Sequence, residues 1–337
     1  MKRFIITILF LSLSAYIAFA GGRRDTAVNN GRLNVVATIF PAYDFVRQIA
    51  GDRVNLTMLL SPGVESHSFE PSPRDIITIN NSDVFIYTGG DMDTWIDRIL
   101  RSMDTRSMRI LAMMDAVNLL IEDHHEHHDA HPHHDEYYDE EHFDPHARTQ
   151  HECDDDCDHG LPHFDEHVWT SPRNAIQIVR VITDTLSAAD PSNAAFFREN
   201  AAAYIEELRK LDAAFSEVVA GARRTTIVFG DRFPFRYLAH DYGLTYHAAF
   251  PGCSTQTDPS PATIAFLINK VRDERIPVVF HIELSSELIA NVIVEATGAR
   301  KLLLHSAHNV TRQDFNAGLG YLDFMRRNIE NLRIALH

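Results

Sequence analysis

Apolar residues in this chain come in short unbroken bursts separated by stretches in which they recur every third or fourth position. The bursts "RLNVVATIF" (32–40), "VNLTMLL" (54–60), "DVFIYT" (83–88) and "MRILAM" (108–113) have the length and β-branched content of buried strands. Between them, "PAYDFVRQIAG", a segment near 73–81 and "DMDTWIDRILRSM" carry helical spacing, the first opened by Pro41 and closed by Gly51. A helix is expected from about Pro172 to Ala189. A longer one follows from Asp190 to Ala222, with Asp190–Pro191 as its cap and first turn. At 1.5 Å per residue that run would extend about 45–50 Å, long for a globular helix and suited to a strut between two lobes. The alternation then resumes. "TTIVF" (225–229), "LTYHAAF" (244–250), "IPVVFHI" (276–282) and "KLLLH" (301–305) read as strands, and 233–242, 261–274, 285–297 and 312–336 as helices. Strands alternating with helices predict an α/β chain of two lobes, each a mostly parallel sheet flanked by helices, joined by one long backbone helix. The halves, 31–170 and 223–337 on either side of the 190–222 helix, share a rhythm but no close sequence repeat.

One segment breaks the rhythm. From His124 to Trp169 the chain holds thirteen of its twenty histidines, and between Glu122 and His167 it carries 17 Asp and Glu against one Arg. The formal net charge of the whole chain is −16. It therefore resides in this stretch, and the remainder is balanced. Residues 122–166 have no apolar periodicity and are expected to be a disordered loop without ligand. A local concentration of carboxylates excludes nucleic acid as a partner and favours a cationic one.

The N-terminus "MKRFIITILFLSLSAYIAFAGG" pairs Lys2 and Arg3 with a short apolar run and Ala18-Phe19-Ala20, the pattern of an export signal over residues 1–20 cleaved before Gly21. No cysteine stands near that point to take a lipid, so a periplasmic or extracellular chain is expected. Three cysteines are too few for a disulfide scaffold. Cys153 and Cys157 either pair after export or join the metal chemistry of their loop, and Cys253 reads as a small buried residue.

Ligands of open α/β sheets bind beyond the carboxyl ends of the strands. There the sequence places His67, with Glu65 and Glu70, after 54–60, and Asp231 after 225–229. Glu283 follows 276–282, and His305 and His308 close the last strand. His167 in "DEHVW" precedes a helix. Singly, each has an ordinary alternative: a surface histidine at 67, helix caps at Asp231 and Glu283, a core histidine at 305. Together, imidazoles and carboxylates converging from separate loops make a site for a first-row divalent metal.

The stretches "VVATIFPAYDFVRQIAGDRVNLTMLLSPGVESHSFEPSPRDI", "YTGGDMDTWIDRIL" and "DEHVWTSPRNAIQIV" resemble the cluster A-I, ZnuA/TroA-like solute-binding proteins of bacterial zinc and manganese ABC importers, over nearly the whole mature chain. The resemblance implies metal held between two lobes, His67 and His167 as ligands, delivery to a membrane permease, and no reaction catalysed. A histidine-rich acidic loop before the second ligand motif resembles the zinc-specific members. The family's third ligand position falls on Gly230, or near Arg232, in "FGDRFPFRYLAHDYGL", and neither side chain binds metal. Asp231, His305, His308 or a water then takes that place, and Glu283 lies within about one residue of the family's carboxylate ligand.

Imidazoles with one carboxylate suit Zn²⁺ better than Mn²⁺, which favours oxygen and higher coordination. With imidazole pKa values near about 6.5, the loop is mostly neutral at pH 7 and competent to collect metal. The expected function is capture of Zn²⁺ outside the inner membrane, by a monomer, for an ABC permease. The alternatives are a metal buffer or adhesin without a permease, and a secreted zinc hydrolase. The hydrolase is disfavoured because neither H-E-x-x-H nor G-x-S-x-G occurs.

Overall fold

The first burst folds as β1 (Leu33–Ala37) and runs into α1 (Phe40–Ala50); β2 (Val54–Met58), α2 (Pro73–Asn80), β3 (Val84–Tyr87), α3 (Thr94–Leu100) and β4 (Arg109–Ala112) follow. Two helices, α4 (Pro172–Ala189) and α5 (Ala194–Ala220), lead to β5 (Thr226–Phe229), α6 (Arg236–Tyr242), β6 (Thr245–Ala248) and α7 (Pro261–Asp273). The chain ends with β7 (Val278–His281), α8 (Leu288–Thr297), β8 (Arg300–Leu303), α9 (Arg312–Asn316) and α10 (Tyr321–Leu336). This computed structural model describes residues 31–65, 69–121, 163–250 and 258–337. The export signal, His67, the acidic loop through residue 162, and all three cysteines lie outside the described residues.

Both sheets are parallel and have one topology, β2-β1-β3-β4 and β6-β5-β7-β8. The shared rhythm of the halves is thus a shared strand order. Each sheet is covered on both faces, as parallel sheets require. Val35 and Ile86 point into one core while Val36 and Phe85 face another, and Phe229 and Phe280 likewise oppose Val228 and Val279. One apolar core runs from the first sheet through α1, α4 and α5 to the second sheet and α10, and Leu33–His337 form one compact unit.

The longest helix is α5, whose 27 residues extend about 40 Å at 1.5 Å per residue. It touches both halves. Asn200 Nδ2 donates to the Ile49 carbonyl of α1 at 3.0 Å, and Tyr204 packs on Phe45. Further along, Asp212 accepts from the Tyr242 hydroxyl at 2.8 Å, and Glu207 accepts from Arg326 of α10 at 2.8 Å. The helix starts later than expected because Asp190 closes a turn instead of capping it: Oδ1 accepts from the amides of Ser192 and Asn193. The expected single helix over 312–336 divides in two at Gly318, whose φ of 74° no helix accommodates.

Among the described residues, no helix is long and apolar enough to cross a membrane.

Candidate metal site

The carboxyl ends of the two sheets contribute to one cavity of about 50 Å³. Its walls include Val64 and Glu65 from the loop after β2, His167, Arg232 from the loop after β5, Glu283, Ser306 and His308. One water needs about 10–15 Å³ of such space, so the cavity has room for an ion together with water.

His167 sits just ahead of α4, in a short 3₁₀ turn over Val168–Thr170 that buries Trp169 completely. Asp165 orients it. One carboxylate oxygen accepts from the His167 amide at 2.9 Å and lies 3.2 Å from Nδ1. A carboxylate only accepts, so the imidazole proton is assigned to Nδ1, which makes Nε2 the lone-pair nitrogen. Asp165 is itself held. Arg236 lies 3.6 Å away, and the Tyr237 hydroxyl donates to the Asp165 carbonyl at 2.8 Å.

His308 reaches the same place from the second sheet. Its ring meets the His167 ring edge-on with centroids 5.5 Å apart, and both rings pack on Trp169. The segment 304–310 is braced from several directions. Trp169 Nε1 donates to the Ser306 carbonyl at 2.8 Å, and Ala307 takes a left-handed φ of 59°. Glu283 accepts from the Ser306 amide at 2.8 Å, from the Ser306 hydroxyl at 2.5 Å and from the His308 amide at 3.2 Å. Leu284 and Glu287, on the far side of Glu283, also have left-handed φ values of 56°. Such non-glycine conformations persist only where the surroundings over-determine them, and they cluster at functional sites.

The loop leading to His67 is pinned to this segment. Asn309 Nδ2 donates to the carbonyls of Ser61 at 2.9 Å and Val64 at 2.7 Å, and the Gly63 amide donates to the Val310 carbonyl at 2.7 Å. Residues 61–65 are therefore held at the cavity wall, and His67 lies outside the described residues.

The candidates from sequence thus separate. His167, Glu283 and His308 line one cavity. Asp231 is buried nearby and spends its carboxylate on backbone: Oδ1 accepts from the Arg232 amide at 2.9 Å and Oδ2 from the Ile282 amide at 3.2 Å. It caps no helix; it ties the two strand-end loops together. His305 stacks on Phe324 at 4.0 Å, and its Nδ1 accepts from the Ala307 amide at 2.9 Å. Burial pushes the His305 pKa down, so its 3.6 Å approach to Glu283 is made by a neutral ring and is not an ion pair. Glu283 anchors the 306–308 turn instead of capping α8, which begins at Leu288. Glu70 is exposed. Among the described residues, no three His, Cys, Asp or Glu side chains gather closely enough to hold a metal.

Gly230 has a packing explanation. A Cβ there would lie 2.3 Å from the Ala290 Cα, so β5 closes onto the backbone of α8 only because residue 230 has no side chain. Sequence reasoning missed Asp165, Trp169, Ser306 and Asn309, whose hydrogen bonds and ring contacts position the candidate residues His167 and His308 and the loop of residues 61–65. It set Arg232 aside as a side chain that binds no metal; in the structure Arg232 lines the cavity and pairs with Glu65 at 2.9 Å. Only Asp165 left a sequence signal, standing two residues before His167.

Comparison with known proteins identifies the family. The family described as ZnuA, "Zinc-uptake complex component A periplasmic", matches residues 35–335. The zinc-binding lipoprotein AdcA of Streptococcus pneumoniae (strain ATCC BAA-255 / R6) is 33% identical over 329 residues, 97% of this chain and 60% of that protein. The chain thus spans about 60% of the length of AdcA. The high-affinity zinc uptake system protein ZnuA of Bacillus subtilis (strain 168) is 28% identical over 335 residues, 99% of this chain and 96% of that one. The crystal structure of the Zn(II)-bound ZnuA-like domain of S. pneumoniae AdcA superposes with a TM-score of 0.70 at 31% identity, covering 91% of this chain and 99% of that domain. With a match running from the first strand to the last helix, the chain belongs to the ZnuA family of periplasmic zinc-uptake components.

Proposed function

We propose that this protein binds Zn²⁺ outside the inner membrane and hands it to an ABC permease, with zinc as cargo and no reaction catalysed. The observation that carries the reading is the meeting of His167 and His308, 5.5 Å apart, in a cavity that Glu283 also lines. Two imidazoles from separate loops, with His67 as a third, make the nitrogen-rich set that zinc accepts, and Glu283 completes it once it exchanges a hydrogen bond from the 306–308 turn for the metal. His308 then takes the place that Gly230 cannot, and Asp231 is a positioning residue. Two halves that meet around a small cavity suit capture and release, with residues 31–170 and 223–337 moving about the long helix α5. The acidic histidine segment serves as a weaker collector that feeds the cavity. The relatives support the cargo: one is named a zinc-binding lipoprotein and another a high-affinity zinc uptake system protein.

The test is a zinc titration against a chromophoric chelator, using the mature protein, a variant lacking residues 122–162, and H167A and H308A. One tight site should survive the deletion, and each histidine substitution should weaken it by more than a hundredfold. Loss of tight binding on deletion alone would refute the cavity as the capture site.

A further inference from the structure

Two charged side chains in the cavity wall have no place in the ligand set above. Glu65, from the first half, and Arg232, from the second, form an ion pair across the junction, with Nη1 to Oε1 at 2.9 Å. We propose that Arg232 is a specificity-determining residue, which holds the Glu65 carboxylate out of the coordination sphere and so keeps the site selective for Zn²⁺ over Mn²⁺. The inference rests on the zinc-capture reading.

Both partners are held by their backbones. Val64, next to Glu65, has its carbonyl fixed by Asn309 at 2.7 Å. Asp231, next to Arg232, accepts from the amides of Arg232 and Ile282, tying this loop to the one that carries Glu283. The ion pair is therefore delivered by two anchored loops. The other carboxylate of the cavity, Glu283, accepts three hydrogen bonds from the 306–308 turn.

Metal preference follows from donor count and type. With Glu65 engaged by a guanidinium, the cavity offers imidazoles and one carboxylate, a low-coordinate set that suits zinc. A released Glu65 would add one or two oxygens. A five- or six-coordinate, oxygen-richer sphere is what Mn²⁺ prefers, whereas zinc gains little from extra oxygens. Arg232 would also act as a fixed positive charge near the ion, but repulsion of that kind weakens all divalent cations alike and cannot choose between them. Selectivity and simple repulsion are thus separable by experiment.

Both residues are partly exposed, with side-chain exposures of 30% for Arg232 and 39% for Glu65, so neutral substitutions leave no buried charge behind. Mature wild-type protein, R232Q, E65Q and R232Q/E65Q would be titrated with Zn²⁺ by chelator competition, and with Mn²⁺ by loss of the free-ion EPR signal. R232Q is expected to bind Mn²⁺ at least tenfold more tightly than wild type while its zinc affinity changes less than threefold. The manganese gain should vanish in R232Q/E65Q. The proposal is overturned if R232Q strengthens both metals by one factor, if manganese binding does not improve, or if the gain survives in the double variant. E65Q gives an answer that does not depend on R232Q folding: its zinc affinity should stay within threefold of wild type, and a loss above tenfold would make Glu65 a ligand and end the proposal. Wild-type zinc binding in the same series separates the two readings. Absence of a tight 1:1 zinc site there refutes the capture function itself.

Discussion

Asp165 offers the sharpest test of how the site is built. Its carboxylate is 6% exposed and contacts His167 twice, at the amide (2.9 Å) and at Nδ1 (3.2 Å), with Arg236 3.6 Å away. D165N keeps the shape and one acceptor but removes the charge. A carboxylate behind a ligating imidazole fixes its tautomer and raises its basicity, and losing such a partner typically costs about 10–100-fold in metal affinity, or about 1.4–2.7 kcal/mol. The hydrogen-bond arithmetic agrees. A bond to a charged group is worth about 1.5–3 kcal/mol and a neutral one about 0.5–1.5, so neutralising the acceptor at a rather long 3.2 Å costs about 1–1.5 kcal/mol. The expected outcome is a roughly 5–30-fold rise in zinc Kd with 1:1 stoichiometry unchanged. The metal-free protein should lose about 1–2 kcal/mol as well, because Arg236 gives up a buried counter-charge. Both effects should be nearly independent of salt, since buried pairs are weakly screened. Chelator competition and denaturant melts at two ionic strengths measure them. A D165N protein that binds zinc within threefold of wild type would refute the claim that Asp165 orients His167.

Three further outcomes are expected. N309A removes both donors to the Ser61 and Val64 carbonyls; stability should fall by about 2–3 kcal/mol, hydrogen exchange should quicken over residues 61–70, and zinc affinity should drop more than tenfold. G230A should cost about 3 kcal/mol or more by overpacking against Ala290; a thermal midpoint equal to wild type would show that α8 yields freely. Asp93 is buried at 7% exposure, and desolvation pushes its pKa up from 3.8 to about 6 despite amide donors from Thr88 and Gly89. The folded chain therefore holds this proton up to about pH 6 while the unfolded chain releases it near 3.8, so this group makes stability fall as pH rises between those values. The ionised state costs roughly 3 kcal/mol above pH 7. D93N should raise the midpoint of metal-free protein by a few degrees at pH 7.5 and little at pH 4, and equal effects at the two pH values would contradict the linkage.

The secondary-structure order, the α/β class and the loops that could carry ligands were legible from the chain alone. Those properties depend on local patterns: buried strands are continuous apolar runs, amphipathic helices repeat every 3.6 residues, and in parallel sheets the chemistry follows each strand. The sequence could not choose among Asp231, His305 and His308, because all three are polar residues at strand ends with the same local signature. Tertiary structure separated them by what else each touches. Asp231 meets two backbone amides and His305 an aromatic face, whereas His308 is turned by the strained Ala307 toward His167, 141 positions earlier in the chain. Gly230 illustrates the same limit, since only the approach of α8 explains why no side chain stands there. The pairing of Glu65 with Arg232 was equally invisible, because an ion pair between residues 167 positions apart exists only once two sheets have folded against one core.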